Sequence, residues 1–174
     1  MDIVAAGPDD ELLLLDLLNT TPVIDGAAHD ELEDPATAQA WLSAHGAALT
    51  QAQLEELIEV RTALQAVVRG DDDPAALAPF LTGVALRPAV SDDGISWALS
   101  TAEASEVAAR AILAWDALRI SSPGRLRACA NADCQLFLID RSKPNTARWC
   151  SMAICGNRMK ARRHYQRRKA TATD

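Results

Sequence analysis

Apolar positions along this chain recur mostly at helical spacing. Glu11–Asn19 is apolar on nearly every side, which predicts a short buried helix. Thr20–Glu33, with Pro22 and Gly26, reads as a loop. Asp34-Pro35 supplies an N-cap and a first helical residue, and Ala38, Trp41, Leu42 and His45 follow at i, i+3, i+4 and i+7 before Gly46. Thr50 with Gln53 forms a capping box. Behind it Leu54, Leu57, Ile58, Arg61, Leu64 and Val68 share one face, on which Arg61 is the polar exception. Gly70 and the acids Asp71, Asp72 and Asp73 end that helix, and Asp73-Pro74 starts another through Leu77, Phe80, Leu81 and Val84, interrupted by Pro79.

The period then changes. Asp92-Asp93-Gly94 stands between the apolar runs Leu86–Val90 and Ile95–Leu99, a hairpin signal. Ser100 and Glu103 make a second capping box, and Ala104, Val107, Ala108, Ala111, Ile112, Trp115 and Leu118 form a helical stripe. Ser121-Ser122-Pro123-Gly124 is a linker. The expected architecture is mainly α: a helical N-terminal domain with a β-hairpin over residues 1–120, followed by a small module over 121–174. Composition agrees, because the 49% apolar share is rich in Ala and Leu while aromatics make up only 4%. Disordered and collagen-like classes are excluded.

The longest apolar run, Leu12–Leu18, is broken by Asp16 and is far short of the ~20 residues of a membrane span. Met1–Asp10 contains no basic residue and does not resemble a secretory signal. The expected location is therefore the reducing cytoplasm.

The formal net charge of −7 conceals a split. Residues 1–119 carry five arginines against 21 acids, a balance of −16, whereas residues 120–174 carry twelve basic residues against three acids, a balance of +9. Such asymmetry points to nucleic acid or an acidic partner for the basic end.

All four cysteines lie in that basic end. Cys129, Cys134, Cys150 and Cys155 follow the spacing C-x4-C, fifteen residues, C-x4-C. Two close pairs of soft thiolates suit tetrahedral Zn²⁺. Two disulfides or four unrelated thiols are the other readings, and a reducing compartment disfavours the first. The intervening segment is long enough for a hairpin, with Gln135–Asp140 running out, Lys143-Pro144-Asn145 at the tip and Ala147–Trp149 returning. This would give a treble-clef or zinc-ribbon arrangement. Four thiolates fill a tetrahedral shell, so such a zinc is structural rather than catalytic. Its loss should melt residues 125–160.

Gly156–Lys169 follows with seven Lys or Arg residues and no acid. Self-repulsion on such a helix is relieved by a polyanion. Arg148, Arg158, Lys160, Arg162, Arg163, Arg167 and Arg168 are the candidate nucleic-acid contacts, with a solubilising tail as the plain alternative. Zinc on four thiolates would leave about +7 on the module. If about six phosphates are neutralised, log K should fall against log salt with a slope near −5 on duplex DNA.

Arg148-Trp149 and Cys150-Ser151-Met152-Ala153-Ile154-Cys155-Gly156-Asn157-Arg158 resemble the CGNR zinc finger, as do Arg127–Cys134 and Phe137–Ser142. Leu15-Asp16-Leu17-Leu18-Asn19-Thr20 resembles the ABATE-like domain that precedes this finger. The resemblance implies a bacterial transcription regulator, with the four cysteines as zinc ligands, a DNA-binding finger and a sensing N-terminal domain. One departure is visible: Ala147 stands where the family often has a first arginine before Trp-Cys.

Gly156 is expected to allow close packing near the last cysteine, Asn157 to cap or brace the knuckle, and Arg158 to stack on Trp149 or to reach DNA. In the helical domain Trp41, Trp97 and Trp115 read as core. His29 with Asp25, Asp30 and Glu31 reads as a solvated acidic loop, and His45 as a helix C-terminal residue favoured by the dipole. Asp16 and Asn19 are polar among leucines, either partners of Arg61 in the core or the lining of a ligand pocket. No catalytic fingerprint is present.

The resulting expectation is a zinc-dependent, DNA-binding transcriptional regulator that is not an enzyme. Its partners would be DNA, a small-molecule effector of the N-terminal domain and a second copy of the chain. The alternative is an adaptor whose zinc module docks an acidic protein. A further expectation is that the acidic domain competes in cis with DNA for the basic helix.

Overall fold

The computed structural model describes residues 7–92, 94–101 and 105–171. About 52% of the chain is helical, so the mainly-α expectation holds. Helix α1 is Pro8–Leu18, with Asp9, Asp10 and Glu11 in its first turn, where the dipole favours acids. It buries Leu13, Leu14, Leu17 and Leu18, but Leu12 is 56% exposed, so the helix has one solvent face.

The stretch expected as a loop contains a minimal hairpin, β1 (Val23–Ile24) and β2 (Ala27–Ala28). Asp25 and Gly26 both take positive φ at its turn, as the favoured two-residue hairpin turn requires. Helix α2 is Pro35–Ala44, capped by the Asp34 carboxylate, which accepts from the Thr37 N–H at 2.9 Å. Helix α3 is Gln51–Arg69, with the expected capping box at Thr50 and Gly70 in the left-handed region at its end. Pro74–Leu81 is a 3₁₀ helix, consistent with the proline inside it.

Strands β3 (Ala85–Ser91) and β4 (Gly94–Ser100) pair antiparallel around the expected turn. Their register places Leu86, Pro88, Val90, Ile95, Trp97 and Leu99 on one face. Val90, Ile95 and Trp97 of that face are exposed, Trp97 at 43%. The core position expected for Trp97 is therefore corrected: of this face only Leu86 and Leu99 are half-buried, and its outer part lies open to solvent among the described residues.

Helix α4 is Glu106–Ser121. Its cap is Ser105, whose hydroxyl accepts from the Ala108 N–H, while Ser100 ends β4. The expected capping box is thus displaced, and Asp93, Glu103 and Ala104 lie outside the described residues. Trp115 is buried on α4, and Trp41 on α2 packs against the core with His45 beside its ring.

The core lies where α1, α3 and α4 meet. Strand β5 (Leu126–Ala128) pairs with β6 (Phe137–Ile139), β5 packing on α3 and β6 on α1. Phe137 is 1% exposed within the same core. Cys129–Leu136 therefore loops between β5 and β6, and Ala147–Trp149 is not the returning strand that was expected. Helix α5 is Asn157–Thr171. Among the described residues no helix is long and apolar enough to cross a membrane.

Candidate metal centre and basic helix

The β5–β6 loop and the start of the last helix bring the four cysteines together. All four Sγ atoms lie within 4.8 Å of one another. Cys134–Cys150 and Cys150–Cys155 are each 3.7 Å apart. Four sulfurs placed ~2.3 Å from one tetrahedral ion would stand about 3.8 Å apart. A disulfide would need about 2.05 Å, and all four thiols are free. The donor set and its spacing fit a divalent metal of zinc type.

Local hydrogen bonds set this geometry. The Cys129 N–H donates to the Leu136 carbonyl at 2.8 Å, and the Cys134 N–H to the Asn131 carbonyl at 2.9 Å. Asn131 is fully buried; its Nδ2 donates to Cys155 Sγ at 3.6 Å and its Oδ1 accepts from the Asp133 N–H at 3.3 Å. The Cys150 N–H donates to Cys129 Sγ at 3.5 Å. A π-helical turn, Met152–Gly156, follows, opened by the Ser151 hydroxyl accepting from the Ile154 N–H. A Cβ on Gly156 would stand 2.9 Å from Met152 Sδ and 3.3 Å from Trp149 Cδ1, so the close packing expected there is present.

Burial pushes the Cys134 thiol up to about 11, and burial with neighbouring thiols also pushes Cys150 up. Burial opposes ionisation of Cys155 too, but hydrogen bonds from Asn131 and the other cysteines draw it below its ordinary value. Four thiolates here need a cation, and binding one releases protons.

Asp140 organises the segment that follows β6. Buried at 2% exposure, it accepts from the Ser142 N–H at 2.8 Å, the Ala147 N–H at 2.7 Å and Arg127 at 3.1 Å. The Ser142 contacts do most to hold its carboxyl below the usual range, despite its burial. Ala147 contributes a backbone donor, a role indifferent to its side chain.

The sites expected in the helical body are rearranged. Arg61 is 3% exposed and pairs with Asp30, Nη1 at 2.6 Å and Nη2 at 2.5 Å, while Nη1 also donates to Thr20 Oγ1 at 2.9 Å. Its carboxylate partner is thus Asp30, from the loop expected to be solvated, and not Asp16. Asp16 is exposed and lies 3.5 Å from His45. Asn19 turns to β6: its Oδ1 accepts from the Phe137 N–H at 2.7 Å and its Nδ2 donates to the Phe137 carbonyl at 3.3 Å. Arg69 adds a cation–π contact, 4.7 Å from the Phe137 ring centre, and Arg141 pairs with Glu11.

The basic candidates divide. Arg148 stacks over Trp149 at 5.4 Å, the position expected for Arg158. Asn157 Nδ2 donates to the Ala153 carbonyl at 3.1 Å, bracing the turn as expected. Arg162 pairs with Asp133 at 3.2 Å. Helical spacing puts Arg158 and Arg162 on one side of α5 and Lys160, Arg163 and Arg167 roughly opposite. These three, like Arg168, are exposed.

A helical body carrying a four-cysteine metal-finger module is the class that this fold and site define. The family model described as the CGNR zinc finger matches residues 125–168. The ABATE model, described as a putative stress-induced transcription regulator, matches residues 11–123, and the chain belongs to that family. One description is of a zinc finger and the other of a regulator, and neither is enzymatic. No curated protein matches the chain.

Proposed function

We propose that this chain is a transcription regulator that binds duplex DNA through α5, positioned by a structural zinc on Cys129, Cys134, Cys150 and Cys155. The observation that carries the reading is the stripe of Lys160, Arg163 and Arg167 on a helix with no acidic residue, starting at the four-thiol cluster. The stripe supplies phosphate contacts, with Arg148 and Arg168 as further candidates. Arg is the residue suited to reading guanine edges. A single α5 spans only about 22 Å, so a second copy would extend the site, and the uncovered β3–β4 face is a surface open to it.

The regulatory body and the finger act as one unit in this reading, because Phe137 sits in the body's core. A fragment 120–174 would lose that packing, so competition between the acidic body and DNA has to be tested in the full chain. The experiment is selection of bound duplexes from a random pool by zinc-loaded protein, beside an EDTA-treated control. Enrichment of a sequence only with zinc supports a regulator. Retention of acidic polypeptides and no duplex would favour the adaptor.

A further inference from the structure

The β3–β4 arm differs sharply between its two faces. Leu86, Pro88, Val90, Ile95, Trp97 and Leu99 stand on one, and Arg87, Ala89, Ser96 and Ala98 on the other. The first face is bare toward the tip: Val90 is 83% exposed, Ile95 70% and Trp97 43%. Among the described residues no third strand joins this sheet. Neither the core nor the side chains packed against it include a described residue of β3 or β4. A lone two-stranded hairpin is marginal in water, and a second apolar layer is what stabilises one.

Three features favour a second copy of this chain as that layer. The face carries no charged side chain, whereas residues 1–119 balance at −16, so contact elsewhere between two bodies sets acids against acids. The face is alike at both ends: the rows Leu86–Leu99 and Val90–Ile95 are aliphatic and flank the row Pro88–Trp97. Its area is also sufficient. The six side chains expose roughly 500 Å² per copy, so two facing copies remove roughly 1,000 Å² from water, where specific interfaces begin.

We propose that this chain forms a twofold dimer in which the apolar faces of two β3–β4 arms stack, the tip of each over the base of the other. Val90 and Ile95 of one copy then cover Leu86 and Leu99 of the second, and the two Trp97 rings meet near the axis. The other twofold stacking, tip on tip, would set the two acidic bodies side by side. The pairing gives the second copy of the proposed regulator its contact surface and rests on that reading only for its use. It is tested without DNA, so each can fail alone.

The test is sedimentation equilibrium of the full-length, zinc-loaded protein without DNA, from about 1 to about 200 µM. A monomer–dimer equilibrium in the micromolar range is expected for an interface of this size. Val90→Lys and Ile95→Lys each place a charge in the apolar layer and should weaken the dimer at least about tenfold. Ala89→Lys and Ser96→Lys, on the opposite face, should stay within about twofold of the parent. All four positions are exposed, so circular dichroism and zinc content of the variants should match the parent. Added salt should tighten the dimer, because it screens two net-negative chains. Association that salt dissolves would instead set the basic α5 of one copy on the acidic body of the next, and overturns the proposal. A chain that stays monomeric at the highest concentration, or Lys variants that act alike on both faces, also overturns it.

Discussion

Asn19, the C-cap of α1, holds the backbone of Phe137 on β6 at both its N–H and its carbonyl, at 2.7 and 3.3 Å. This one amide fastens the cysteine module to the helical body while the Phe137 ring enters the core. Asn19→Ala should destabilise the protein by about 1–3 kcal/mol, because two partly buried backbone groups lose their partner. Phe137→Ala should cost more, about 3–5 kcal/mol. Urea midpoints of the two variants check this order.

Metal removal should reach beyond the finger. Since β6 packs on α1, chelation should speed amide exchange in residues 125–156 and also at the C-terminal end of α1. The sequence suggested melting confined to 125–160. Hydrogen exchange with and without EDTA separates the two outcomes.

The Arg61–Asp30 pair should dominate the body's response to substitution. Arg61→Ala strands a partly buried carboxylate and should cost about 3–5 kcal/mol. Arg61→Met with Asp30→Leu removes both charges and should recover most of that loss. Thermal unfolding of the three proteins measures the difference.

Acid should weaken the fold through two carboxylates. Asp30 is held below its ordinary value by Arg61 and the Leu32 N–H against the opposing effect of burial, and Asp140 chiefly by Ser142. Each binds a proton more readily when unfolded, so its stabilisation is full above the unfolded carboxylate value of about 3.9. That contribution drains away as pH falls from there through the depressed folded values. Urea midpoints between pH 6 and pH 3 should fall, and Asp30→Asn should flatten the slope.

Much of this was legible in sequence because caps and spacing are local. Asp34, Thr50 and Gly70 mark helix ends through their own chemistry, and the C-x4-C pairs could converge on one ion. Partners distant in sequence were not legible. Asp30 sits 31 positions from Arg61, in a segment whose composition suggested solvent. Asn19 bonds across 118 positions to a backbone that carries no side-chain signal. Trp97 shows the converse: alternation revealed an apolar strand face but not whether anything covers it. Asn131 had a local cue, an amide between two of the clustered cysteines, that spacing alone did not decode.

The proposed binding of duplex DNA by Lys160, Arg163 and Arg167 of α5 rests on charge neutralisation. Its most direct test is the salt dependence of duplex affinity for the zinc-loaded full chain. The slope of log K against log salt should be about −5, and Lys160→Gln, Arg163→Gln and Arg167→Gln together should bring it to roughly −2, since each phosphate contact carries ~0.9. Binding that ignores salt, or a slope unchanged by the triple substitution, would contradict the account.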